Sequence, residues 1–155
     1  MSSNWVDERQ AIESYFSTNW GTTTPLKFEN TPFIQPGTQN RTRQSWVALF
    51  IRETMGGRAS IGIPSLHRYV GTIIVQVFTD LNIGTQAART LASQVADLWR
   101  DVTITGVGTT NGIISIGGHH DGAFNTEPHI TVVGDDTNGW FQMNVTVRYR
   151  RDDIF

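Results

Sequence analysis

A chain of 155 residues with no cysteine, a net charge of −2 and a pI near 6.0 has the length of one domain, spanning residues 1–155. A chain of that size buries roughly 70% of its unfolded surface, enough for a core that needs no staples. The missing thiols exclude disulfides and cysteine-based metal sites, and the charge gives no general pull toward nucleic acid or an anionic membrane.

The opening MSSNWVDERQ lacks a basic region followed by an apolar run, so it does not read as a secretory signal. No apolar run approaches the ~18 residues of a membrane span. A helix is predicted over residues 5–18, with Asn4 as N-cap and Asp7 and Glu8 in its first turn. Trp5, Ile12, Tyr15, Phe16 and Trp20 form its expected buried side, Glu8 and Glu13 are expected in water, and Gly21 is a left-handed terminator. Leu26 to Asn30 alternates as a short strand ended by Pro32. Residues 35–44, QPGTQNRTRQ, are a polar loop with Arg41 and Arg43 and no apolar anchor.

Residues 45–54 read as a long strand apolar on both faces, broken at Gly56-Gly57. A short apolar patch, Ile61 and Ile63 before Pro64, follows Arg58. Residues 72–79 form an interior strand, with Ile73, Ile74, Val75, Val77 and Phe78 interrupted only by Gln76. The helix after it sets Ala88, Leu91, Ala92, Val95, Leu98, Trp99 and Val102 on one stripe. Strands at residues 102–105 and 113–116 flank an Asn111-Gly112 turn. A second irregular segment, residues 117–128, holds His119, His120, Asp121 and Glu127. A hairpin of residues 129–133 and 140–150 closes the chain. On its last strand Phe141, Met143, Val145, Val147 and Tyr149 point one way. Trp140, Gln142, Asn144, Thr146, Arg148 and Arg150 point the other, onto a face that is wet or covered by a partner. The sum is an α+β fold: a mostly antiparallel twisted sheet of about six or seven strands with two helices packed on it.

Few residues in the sequence are patterned for chemistry. His119, His120 and Asp121, with His129 and His67, are the candidate metal ligands. Adjacent histidines project in opposite directions, which makes a facial set hard to build. The serines lie in no G-x-S-x-G elbow, and the glycines at 106, 108 and 112 lack the lysine ending of a phosphate loop. Asp135-Asp136 and Asp152-Asp153 read as turn and terminus residues. No catalytic constellation, cofactor motif or metal site stands out. Interaction surface remains: two polar loops of ~10 residues and an uncharged β-forming face around Trp140, Gln142 and Asn144.

The segments ERQAIESYFSTNW, PLKFEN, RYVGTIIVQVFT, TQAARTLASQVADLWRD and NGWFQMNVTVRYRR, spanning residues 5–151, appear in an order that is informative as a set. This order resembles the tail terminator (tail completion) proteins of long-tailed bacteriophages, the siphophage group similar to the lambda tail terminator. The resemblance implies a non-enzymatic virion protein, assembled in the host cytoplasm, that forms a homo-hexameric ring on the head-proximal end of the tail tube. Such a ring stops tube polymerisation and offers the docking surface for the head connector, and DNA passes through it without specific binding. Its partners would be itself, the tail tube protein and the head–tail connector, with no membrane and no cofactor. The candidate contacts are Arg41, Arg43, Arg58, His119, His120, Trp140, Gln142, Asn144, Arg148 and Arg150. The alternatives are another neck or tube-related ring protein, or a small metal-dependent enzyme built on His119, His120 and Asp121.

Overall fold

The computed structural model describes residues 4–109, 111–118, 127–136 and 139–154. The elements run α1 (Asn4–Trp20), β1 (Leu26–Phe28), β2 (Trp46–Arg58), β3 (Leu66–Asp80), α2 (Gln86–Leu98), β4 (Val102–Val107), β5 (Gly112–Ile116), β6 (His129–Asp135) and β7 (Trp140–Ile154). The fold is α+β, as the patterning predicts.

Two 15-residue strands, β3 and β7, pair antiparallel along their whole length and form the spine of the sheet. On the far side of β3 lie β2 and then β1, giving the order β1-β2-β3-β7-β5-β4. The outer side of β7 is shared: β6 pairs with its first half and β5 with its second. The sheet is mixed rather than wholly antiparallel, because β1 runs parallel to β2.

Alternation along the spine sorts side chains onto two faces. Ile73, Val75, Val77, Met143, Val145, Val147 and Tyr149 form the buried face under the helices. α2 lies against it through Ala88, Ala92, Val95 and Ala96, small side chains that allow close approach. α1 contributes Ile12 and Phe16, and Phe16 stacks on the fully buried Trp99 with centroids 5.5 Å apart. The Tyr15 hydroxyl ties the two helices by donating to the Leu98 carbonyl at 2.9 Å.

The two-sided cover expected of β2 and β3 is met only at one end of the outer face. There Trp46, Ala48, Phe78 and Trp140 form a second small cluster, joined by Phe33 and Phe50. Trp46 stacks on Phe78 at 4.1 Å and meets Trp140 edge-on at 6.1 Å. Further along that face Ile74 and Gln76 are half-buried.

Strand ends differ from the sequence expectation at several places: β3 starts at Leu66 rather than at residue 72, β4 and β6 each run two residues further, and β1 stops at Phe28. β2 does not break at Gly56-Gly57 but continues to Arg58, because the Tyr69 ring on β3 lies over Gly56. A Cβ at Gly56 would stand 2.1 Å from Tyr69 Cδ1, so the glycine is what lets the ring cover the ladder. β7 continues past Arg150 to Ile154, paired with the start of β3. Arg151, Asp152 and Asp153 are therefore strand residues rather than a charged terminus.

Candidate interaction surface

The β2–β3 connection, residues 59–65, is a hairpin loop built to hold its shape. The Arg58 guanidinium donates to the Ser60 and Gly62 carbonyls at 2.8 and 2.7 Å, and Ser60 Oγ accepts from the Leu66 amide at 2.7 Å. The Ala59 amide donates to the Leu66 carbonyl. On this braced loop Ile61 is 100% and Ile63 96% exposed, with Met55 also exposed on β2 below them. Burying an isoleucine is worth about 1.5–3 kcal/mol, so a rigid loop displaying two has the form of an anchor for a partner. Arg58, a predicted contact, is used to shape this loop.

Arg43 corrects the expectation that residues 35–44 lack an anchor. Its guanidinium lies 3.9 Å from the Trp140 ring centroid and bonds to the Asp80 carboxylate and the Gly139 carbonyl. Arg41 in the same loop is exposed, and its side chain makes no contact of this kind among the described residues. Trp140 is 1% exposed, covered by its own chain through Trp46, Phe78 and Arg43, and so it is not part of an open face. Gln142 and Asn144 remain on the outer face, half-buried and bonded to each other at 2.9 Å. Arg148 is exposed there, while Arg150 lies 3.2 Å from Asp152, which Arg68 also engages at 2.8 Å. The predicted contacts His119 and His120, with Asp121, lie outside the described residues.

β6 is exposed along nearly its whole length, with Ile130, Val132 and Val133 open to solvent and its outer edge unpaired among the described residues. His129 begins this strand, far in the ladder from His67 on β3. The Ser65 hydroxyl approaches His67 Nε2 at 3.2 Å, but Ser65 is buried at the root of the hairpin loop, out of reach of a substrate. Among the described residues no group of three or more His, Asp and Glu side chains could hold a metal, and no helix is long and apolar enough to cross a membrane.

One buried polar cluster is not signalled by the sequence patterning of α1. Glu8, expected in water, is 1% exposed and inserts from α1 toward β7. Its Oε1 lies 3.0 Å from Arg151 Nη1, and its Oε2 accepts from the Tyr149 hydroxyl at 3.2 Å. Arg151 also donates through Nε to buried Asp153 at 3.0 Å and lies 4.4 Å from the Tyr69 ring centroid. Burial raises the Glu8 carboxyl from 4.5 to about 7; Arg151 opposes the shift and Glu53 adds to it. Burial, with the Glu8 charge, pushes the Tyr149 phenol upward as well. Trp5, expected in the core, is exposed and meets Tyr69 edge-on instead. The available signal was the apolar partner face: Arg151 and Asp153 continue the inward alternation of Val145, Val147 and Tyr149.

Comparison with known proteins gives three findings. The sequence profile described as "Phage tail terminator protein" matches residues 9–149. No curated protein matches. Among solved structures, one chain covers 97% of this chain and 95% of its own length with a TM-score of 0.60 at 15% identity, a likeness of fold.

Proposed function

The chain belongs to the phage tail terminator protein family, and from that membership we propose that it forms a hexameric ring capping the head-proximal end of the tail tube. It is a structural protein of the phage tail and hence a component of the virion. In the proposed role residues 1–155 act as one domain with no catalytic step and no cofactor. The ring halts tube polymerisation, offers the surface to which the head connector docks, and lets DNA through without gripping it. Assembly takes place in the host cytoplasm.

The observation that carries this reading is the braced hairpin loop with Ile61 and Ile63 almost wholly in solvent. A tail component that buries them gains the apolar area the isolated chain leaves exposed. The net charge of −2 agrees with a channel that repels rather than holds a polyanion. The test is the mass of the protein alone and mixed with preformed tail tubes, by native mass spectrometry and by imaging of tube ends. Single rings of six copies at one tube end are expected. A monomeric mass in both settings overturns the proposal, and long tubes grown from the isolated protein would mark a tube protein instead.

A further inference from the structure

The sheet leaves two long edges without a strand partner, on opposite sides, among the described residues. β1 covers β2 only at Val47 to Leu49, so residues 52–58 have β3 on one side and no strand on the other. β6 has β7 alone. Both free segments are seven residues long and largely exposed. An open edge of that length is a template for another strand, and natural edges are usually blunted by lysine, proline or inward charge. β6, HITVVGD, carries no lysine and no proline, and its register shift at Val132 to Gly134 lies in the ladder to β7.

The two edges complement one another. β2, β3, β7 and β6 alternate in direction, so β6 runs opposite to β2 and would lie antiparallel beside the β2 of another copy. The free part of β2 carries Arg52, Glu53 and Arg58, with Glu29 paired to Arg52, whereas β6 and its flanks carry Glu127, Asp135 and Asp136. The β2 edge is thus close to neutral and meets the acidic β6 without like-charge repulsion. We propose that neighbouring copies of this chain join by antiparallel pairing of β6 from one copy with residues 52–58 of β2 from the next. The inference rests on the ring reading above and supplies its contact.

The stagger of the edges is compatible with closure. Through the ladders Val132 stands level with Met143, Val77 and Val47, while the middle of the free β2 segment is Met55. Successive copies are then offset by about seven residue steps, or about 23 Å along the strands, for about 19 Å across four strands. A head-to-tail contact with that offset closes when the strands tilt by about 50° from the ring axis, somewhat steeper than the roughly 35–45° of closed barrels. Six such steps of about 30 Å enclose a ring roughly 60 Å across.

The absence of native cysteine makes the test clean. Thr131 and Met55 both lie on the sheet face away from the helices, Thr131 opposite Asn144 and Met55 opposite Val70. Thr131→Cys and Met55→Cys proteins, assembled on preformed tail tubes, are treated with a short bis-maleimide linker that tolerates a small shift of register. Mixing the two single variants should give covalent dimers, and the double variant a ladder reaching six copies. Neither single variant alone should cross-link. A Thr131→Cys dimer without its partner would mean β6 pairs with β6 and overturn the proposal. So would equal cross-linking when Thr103→Cys on β4 replaces Thr131→Cys. Assemblies with the mass of a ring but no Thr131–Met55 adduct remove the pairing and leave the ring standing. A monomeric mass with and without tubes removes both.

Discussion

Arg151 is the residue on which the buried polar chemistry turns. It faces two carboxylates, Glu8 and Asp153, inside a core that is mostly apolar. Removing one partner of such a group leaves charge unpaired, so Arg151→Ala is expected to cost about 3–5 kcal/mol, read as a lower urea midpoint at unchanged slope. Glu8 gives the protein a pH signature. A carboxyl whose pKa is higher folded than unfolded favours the folded state fully below the unfolded value, and that contribution is lost as pH rises through the folded value. For Glu8 the window is from 4.5 to about 7. Stability from this group should therefore fall between pH 4.5 and about 7, by at most about 3 kcal/mol. Thermal melts at pH 5 and pH 8 check it: Glu8→Gln should narrow the gap between the two melting temperatures, and an unchanged gap would clear Glu8. Gly71 is a third test. A Cβ there would stand 2.5 Å from the Tyr149 hydroxyl, so Gly71→Ala should destabilise by about 1–3 kcal/mol by displacing the ring that holds Glu8.

Among the elements, the hairpin loop and the 35–44 loop separate cleanly into surface and support. Ile61 and Ile63 touch nothing the fold needs, so an Ile61→Ser, Ile63→Ser double variant should unfold within about 0.5 kcal/mol of the parent. The same variant should lose most of its co-sedimentation with tail tubes; full retention would take the loop out of the interface. Arg41→Glu is likewise expected to leave unfolding unchanged. Arg43→Glu should not, because Arg43 supports Trp140 and pairs with Asp80. Loss of that exposed pair and the ring contact is worth about 1 kcal/mol, and a charge-reversal effect on tail joining at position 43 therefore mixes folding with contact. The elements themselves were largely legible. The three- and four-residue spacing of Ala88, Ala92 and Val95 and the alternation of Met143, Val145 and Val147 each admit one conformation. The continuation of β2 through Gly56-Gly57 was not, because the Tyr69 ring that covers Gly56 comes from a different strand.

For the molecule as a whole, the helices occupy one face of the sheet and leave the other with half-buried polar residues and a local aromatic cluster. That asymmetry suits the proposed ring, in which copies would meet at their edges and other tail components at their loops. The sequence alone determined the periodicities, and with them the number and kind of elements, the α+β class and the resemblance that the profile match over residues 9–149 bears out. Those properties are local, set by repeats of two and of 3.6 residues. The tertiary structure decided which polar residues go inside and which strand edges lie open among the described residues. Glu8 and Arg151 are 143 positions apart, and Arg43 reaches Trp140 across 97, so their partners exist only once β7 lies beside β3. The open edges of β2 and β6 are likewise a product of strand order, since an edge is defined by the neighbour a strand lacks and not by the residues it contains.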